Sequence, residues 1–135
     1  MAVEAPRWIV LKFGGSSVAT LERWQVIAEQ IRARIAEGLR PVLVCSALRP
    51  TSDDLEALIE KAIAGSHEEA LAAIEARHLQ LAQAMGLDGE RLLAPWFDAL
   101  RLWTLGISLI RDANPRLRAR ILATGELLST TLGAA

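Results

Sequence analysis

The chain is short of the residues that mark several whole classes of protein. Its 135 residues include one cysteine, Cys45, no tyrosine, and two histidines, His67 and His78. One cysteine excludes an intrachain disulfide framework and suits a reducing compartment. No grouping of His, Cys and Asp has the spacing of a metal site. An excess of one charge is missing too, since 15 basic residues against 16 acidic ones leave a formal net charge of −1. Without a basic stripe and interleaved aromatics, nucleic acid is not an expected partner. No stretch approaches the ~20 apolar residues that span a bilayer, so no membrane partner is expected. The opening Met1–Arg7 lacks the cationic start and apolar run of a signal peptide. A cytoplasmic location is the expectation.

What is present is apolar material. Hydrophobic residues make up 52% of the chain, and the length suits one domain. Trp8–Lys12 and Pro41–Cys45 read as short strands buried on both faces, as in parallel sheets. Between them Leu21, Trp24, Ile27, Ile31 and Ile35 recur at helical spacing, with Thr20 as N-cap and Gly38 as the stop. Strand, helix, strand over this distance is a βαβ unit with parallel strands.

Helices fill the remainder. Ser52 or Asp53 is expected to cap one bearing Leu55, Leu58, Ile59, Ala62 and Ile63. Ser66 is expected to cap the next, which runs through Leu71, Ile74, Leu81 and Met85. Gly86–Gly89 forms a break before an apolar helix around Leu92–Leu109, with Pro95 near its start. Asn114-Pro115 is a turn, and the last helix covers Arg116–Leu132. His67 and His78 read as surface residues, Cys45 as core filling. The tryptophans Trp8, Trp24, Trp96 and Trp103 read as core or helix-interface residues, an exposed one marking an oligomer contact. Two strands beside this much helix make an incomplete α/β sandwich.

Both strands end in loops at the edge where open parallel sheets bind ligands. The first loop is Lys12-Phe-Gly-Gly-Ser-Ser-Val18. A lysine at a strand end followed by two glycines brings an ammonium and backbone N–H groups close to a polyphosphate. The helix that follows would favour an anion at its amino end. The order is not that of a Walker loop, whose lysine follows its glycines. Spacing alone fits an ordinary strand-to-helix turn with a solvated lysine better. The second segment, Val42-Leu-Val-Cys-Ser-Ala47 continuing to Thr51-Ser-Asp53, offers small residues and a hydroxyl; alone it reads as a capped loop. The third segment, Arg120-Ile-Leu-Ala-Thr-Gly-Glu-Leu-Leu-Ser129, sets Gly125 inside a helix at a cost of ~1 kcal/mol relative to Ala. Such a glycine signals close packing or close ligand approach. Glu126 beside it could hold an ammonium, although a solvated helix glutamate is the commoner role.

Taken together, the three segments resemble those of aspartate kinases, within the amino-acid kinase family. Lys12–Val18 is similar to the family's Lys-Phe-Gly-Gly-Thr-Ser-Val, with Ser16 in place of threonine. Val42–Asp53 is similar to its Val-Val-Ser-Ala segment, with Arg49-Pro50 departing from the commoner Gly-Lys. Gly125-Glu-x-x-Ser129 resembles the segment whose glutamate binds aspartate. The resemblance implies a partial three-layer αβα sandwich of the carbamate kinase-like fold, with residues 1–135 as the N-terminal portion of the catalytic domain. Further strands, the nucleotide-binding half and any ACT domains are then expected outside these residues.

The implied reaction is ATP-dependent phosphorylation of the L-aspartate side-chain carboxylate to 4-phospho-L-aspartate, the first step towards lysine, threonine and methionine. Lys12 is the implied catalytic residue, and Lys12, Phe13, Gly14, Gly15 and Ser16 the implied phosphate site. Ser46, Ala47, Thr51 and Glu126 are the implied aspartate site. Mg²⁺ would accompany ATP without a protein ligand here, and a homo-oligomer is expected. This stretch alone is expected to be inactive. The alternatives are another amino-acid kinase, for glutamate, acetylglutamate, carbamate or UMP, and a non-catalytic oligomerisation or binding module.

Overall fold

A computed structural model of the chain describes residues 7–135. β1 (Trp8–Phe13) and β2 (Arg40–Cys45) pair in parallel, Lys12 opposite Val44 and Phe13 opposite Cys45. The intervening α1 (Leu21–Ala36) is the crossover helix the sequence predicts. Thr20 caps it by accepting from the Arg23 amide at 3.4 Å, and Gly38 turns the chain beyond it with φ of +76°.

The strands differ from expectation in one respect. They are not covered on both faces, and burial alternates residue by residue along each. Leu11, Phe13, Leu43 and Cys45 face the packed side, against which α1 and α5 lie. On the other side Trp8 is 67% exposed and Val10 65%, beside Val42, Val44 and Lys12. The physical reason is that, among the described residues, helices lie against one face of this two-stranded sheet only. Trp8 accordingly joins no core; the Arg40 guanidinium lies 5.6 Å from its ring centroid instead. Trp24 is buried as expected, its indole N–H donating to the Val18 carbonyl at 3.0 Å. Cys45 is half-buried on the packed face, and burial pushes its thiol pKa up, as suits a packing residue.

The helical part carries the main core. It comprises α2 (Thr51–Ala64), α3 (Glu68–Ala84), α4 (Gly89–Ile110) and α5 (Pro115–Ala134). α2 packs on α4 and α5, while α3 packs on α2 and α4. Leu55, Leu58, Ile59, Ile74, Leu93, Phe97, Leu100, Ile107, Ile121 and Leu128 meet in one cluster. Transfer of such side chains from water contributes ~1.5–3 kcal/mol each, before conformational entropy is set against it.

Several helix starts move from their expected places. α2 begins at Thr51, so Ser52 and Asp53 lie in its first turn and cap nothing. α3 is preceded by His67, not capped by Ser66. α4 begins at Gly89, where Asp88 accepts from the Arg91 amide at 3.1 Å, and continues through Pro95. α5 starts at Pro115, which suits N1 because its missing N–H has no intrahelical partner there. Asn114 caps it by accepting from the Leu117 amide at 2.9 Å.

Both histidines are buried, contrary to their surface reading. His78 is fully enclosed, its Nδ1 2.8 Å from the Ile74 carbonyl and its ring edge-on to Phe97 with centroids 5.9 Å apart. Nε2 has no partner. Burial lowers the pKa below the ordinary 6.5; the Ile74 carbonyl opposes that, Arg77 adds to it, and Asp54 opposes it. No helix among the described residues is long and apolar enough to cross a membrane.

Candidate functional site

The loops after β1 and β2 are joined by backbone hydrogen bonds. The Ser46 amide donates to the Phe13 carbonyl at 3.0 Å and the Arg49 amide to the Gly15 carbonyl at 3.2 Å. A 3-10 turn over Gly15–Val18 follows β1 directly. This contact explains Gly15. A Cβ placed there would lie 2.6 Å from the Ala47 carbonyl oxygen and 3.3 Å from the Arg49 nitrogen, both backbone atoms that cannot swing aside. The requirement is space, since Gly15 does not have a positive φ. Gly14, by contrast, is extended (φ −76°, ψ 172°) with nothing near its missing Cβ. Of the two glycines, only Gly15 is demanded by the local packing.

Helix α5 approaches the same place from the opposite side, and Gly125 is what lets it in. A Cβ there would meet the Ala47 Cβ at 2.9 Å, Leu55 Cδ1 at 3.3 Å and Thr51 Cγ2 at 3.5 Å. Glycine in mid-helix sacrifices ~1 kcal/mol of helix propensity, and here it brings α5 against the β2 loop. Glu126, the next residue, is thereby set on the rim beside Ser46 and Ala47.

The result is a cavity of about 360 Å³ at the carboxyl ends of the strands. Gly15 and Ser16 line it from the first loop, Ser46 and Ala47 from the second, and Glu126 from α5. Segments far apart in the chain therefore converge, as the sequence predicts for a ligand edge. Arg49, Ser52 and Asp53 line it as well; the sequence had given them a loop or cap role and no part in the site. The available signal was their position within Ser46–Asp53, the stretch already assigned to the ligand edge.

Four of the predicted positions lie off the cavity wall. Lys12 is exposed on the open face of the sheet at the end of β1. Phe13 packs its ring on the core, and Gly14 is exposed between them and the cavity loop. Thr51 is buried beneath, 0% exposed, with its methyl towards Gly125 and its hydroxyl without a partner. The start of α1, expected to favour an anion, lies off the cavity wall as well. That helix begins beyond the 3-10 turn, and Glu22 already occupies its first turn. The Glu22 carboxyl pKa is lowered by its own backbone N–H and by the Thr20 side chain.

Chemically, the cavity offers two carboxylates, one guanidinium, three serine hydroxyls and the backbone of a tight glycine turn. Such a set can hold a small zwitterion beside an anion. Among the described residues no three His, Cys, Asp or Glu side chains gather as a metal cage.

Known proteins share both the sequence pattern and the fold. A model of the Amino acid kinase family matches residues 7–130. Aspartokinase 1, chloroplastic, of Arabidopsis thaliana is 33% identical over 131 residues, which is 93% of this chain and 22% of that protein. The aspartokinase of Mycobacterium tuberculosis (strain ATCC 25618 / H37Rv) is 49% identical over 47 residues, 35% of this chain and 11% of its own length. The crystal structure of E. coli aspartokinase III in complex with aspartate and ADP superimposes with a TM-score of 0.73 at 25% identity, covering 94% of this chain and 28% of that one. The same enzyme with lysine and aspartate gives a TM-score of 0.77, a likeness of fold. The mostly helical α/β arrangement with its two-stranded parallel sheet is thus part of a larger known fold. On the family match and the shared fold, this chain belongs to the amino acid kinase family.

Proposed function

We propose that this chain supplies the phosphate loop and part of the amino-acid pocket of an ATP-dependent aspartate kinase, which converts L-aspartate to 4-phospho-L-aspartate. The observation that carries the reading is the single cavity uniting Gly15–Ser16, Ser46–Ala47 and Glu126. The likeness to aspartokinases along 93% of the chain supports the choice of aspartate. The chain spans 22% of that relative's length, so the whole reaction is proposed for the protein to which these residues contribute.

A carboxylate is already a nucleophile and needs no general base. The work is positioning and neutralising charge between two anions. Lys12, exposed at the end of β1, would reach the phosphoryl oxygens from the open side of the sheet. Phe13 and Gly14 would contribute backbone only, with Gly15 and Ser16 placing N–H and hydroxyl groups on the phosphates. Glu126 would hold the substrate ammonium, with Ser46 and Ala47 as the pocket wall. Thr51 would act from below, its buried hydroxyl becoming a donor if the loop shifts on binding. Mg²⁺ would accompany ATP as a co-substrate.

The chain alone is proposed to bind without turning over, as a stretch matching 28% of the E. coli enzyme leaves most of that enzyme unmatched. A role in lysine, threonine and methionine biosynthesis, a cytoplasmic location and a homo-oligomeric state complete the proposal. Leu102, Leu105 and Leu109, exposed along one side of α4, would suit a subunit contact. The test is an NMR titration of the chain with L-aspartate and with ADP. Shifts centred on Gly15, Ser16, Ser46, Ala47 and Glu126 are expected; shifts elsewhere, or none from either ligand, would remove the reading.

A further inference from the structure

We propose that Arg49 is a specificity-determining residue of this cavity. Its guanidinium receives the side-chain carboxylate of the amino-acid substrate and so selects a dicarboxylic amino acid over its amide. The inference rests on the aspartate kinase reading and names the group that recognises the acceptor.

Three charged side chains line the cavity: Arg49, Asp53 and Glu126. All three are exposed, and none forms an ion pair among the described residues. Elsewhere in this fold arginines beside carboxylates do pair across elements, as Arg77 with Asp54 and Arg118 with Glu60. A guanidinium that shares a cavity with two carboxylates and bonds to neither keeps its planar fork free for an oxyanion from outside. That fork matches a carboxylate through two parallel hydrogen bonds, which a lysine ammonium does not reproduce.

Position decides which carboxylate. The Arg49 amide is tied to the Gly15 carbonyl, and the Arg49 Cβ lies 3.5 Å from where a Cβ on Gly15 would stand. The side chain therefore springs from the β2 loop directly beside the glycine turn proposed for phosphate. Glu126 enters from α5 and Asp53 from the first turn of α2. An amino acid with its ammonium towards those carboxylates directs its other end to Arg49, next to the phosphate loop. The acceptor carboxylate has to meet the phosphoryl group there, so it is the carboxylate that Arg49 holds. An amide in its place has no charge and only one acceptor oxygen, and its NH₂ would face the guanidinium donors.

The test compares the wild-type chain with Arg49→Gln and Arg49→Lys, each titrated with L-aspartate, L-asparagine and ADP by NMR, the spectrum itself reporting the fold. Wild type is expected to prefer aspartate to asparagine. In Arg49→Gln aspartate affinity falls about tenfold or more while asparagine and ADP stay within about twofold, and Arg49→Lys lies between. Unchanged aspartate affinity overturns the proposal. So does an equal fall for aspartate and asparagine, which marks a distorted loop, or a fall for ADP alone, which marks a phosphate ligand. If wild type binds neither aspartate nor ADP, the kinase reading fails first and this inference with it.

Discussion

The two parts of this molecule are held together by different means. In the helical part, α2, α3, α4 and α5 close on one another, and large side chains such as Leu58, Phe97 and Ile121 lose nearly all contact with water. In the sheet part, β1 and β2 are buried on one face and open on the other. The cavity lies where they meet, with loops from the strands on one side and α2 and α5 on the other. The contrast assigns the labour: the helical core supplies rigidity, the strand ends supply polar chemistry, and Gly125 is the contact through which one positions the other.

The contrast can be broken most forcefully by truncation in each part. Phe97→Ala is expected to lower unfolding free energy by ~3–5 kcal/mol, the usual cost of emptying an aromatic site in a core. Val10→Ala on the open sheet face is expected to change it by about 0.5 kcal/mol or less. Urea unfolding followed by circular dichroism reads both. Similar losses would mean that the open face is covered in solution.

The junction comes next. Gly125→Ala inserts a methyl against Ala47 and Leu55, and overpacking of this kind costs ~1–3 kcal/mol. The gain in helix propensity offsets ~1 kcal/mol of it, so a net loss of up to ~2 kcal/mol is expected, with shifted NMR signals in the β2 loop. A stabilised variant would show that α5 does not need the close approach.

The smallest expected effect is a pH dependence in the core. His78 is held neutral by burial, its folded pKa below the ordinary 6.5. Between the two values the unfolded chain binds a proton that the folded chain refuses, so stability falls as pH drops through about 6.5 and levels off below the folded pKa. Wild type should therefore be less stable at about pH 5 than at about pH 7.5. His78→Leu should flatten that difference, and an unchanged slope in the variant would place its origin elsewhere.

Much of this arrangement was legible in the sequence, and the failures are physically specific. The strands were visible as short apolar runs, α1 because its cap and apolar spacing agree, and α5 to within a residue of its start. Glycine before Glu126 pointed to close packing, which the structure bears out at Gly125. The open sheet face was not legible, because Trp8-Ile-Val-Leu is apolar at every position and carries no period-2 signal. His78 was misread because a lone histidine among Glu and Ala resembles a surface residue until Phe97, far along the chain, closes over it. Arg49 was read only as a departure in its loop and Asp53 only as a helix cap, because their place at the cavity depends on Glu126 arriving from α5. Local pattern reveals elements, whereas convergence of charge requires the fold.

The central claim is that one cavity joins a phosphate site to an amino-acid site, and a crossed titration tests it most directly. Lys12→Ala and Glu126→Gln are each titrated with ADP and with L-aspartate. Lys12→Ala should weaken ADP about tenfold and leave aspartate within about twofold, while Glu126→Gln should do the reverse. Equal losses for both ligands in both variants, or no loss in either, would contradict the account.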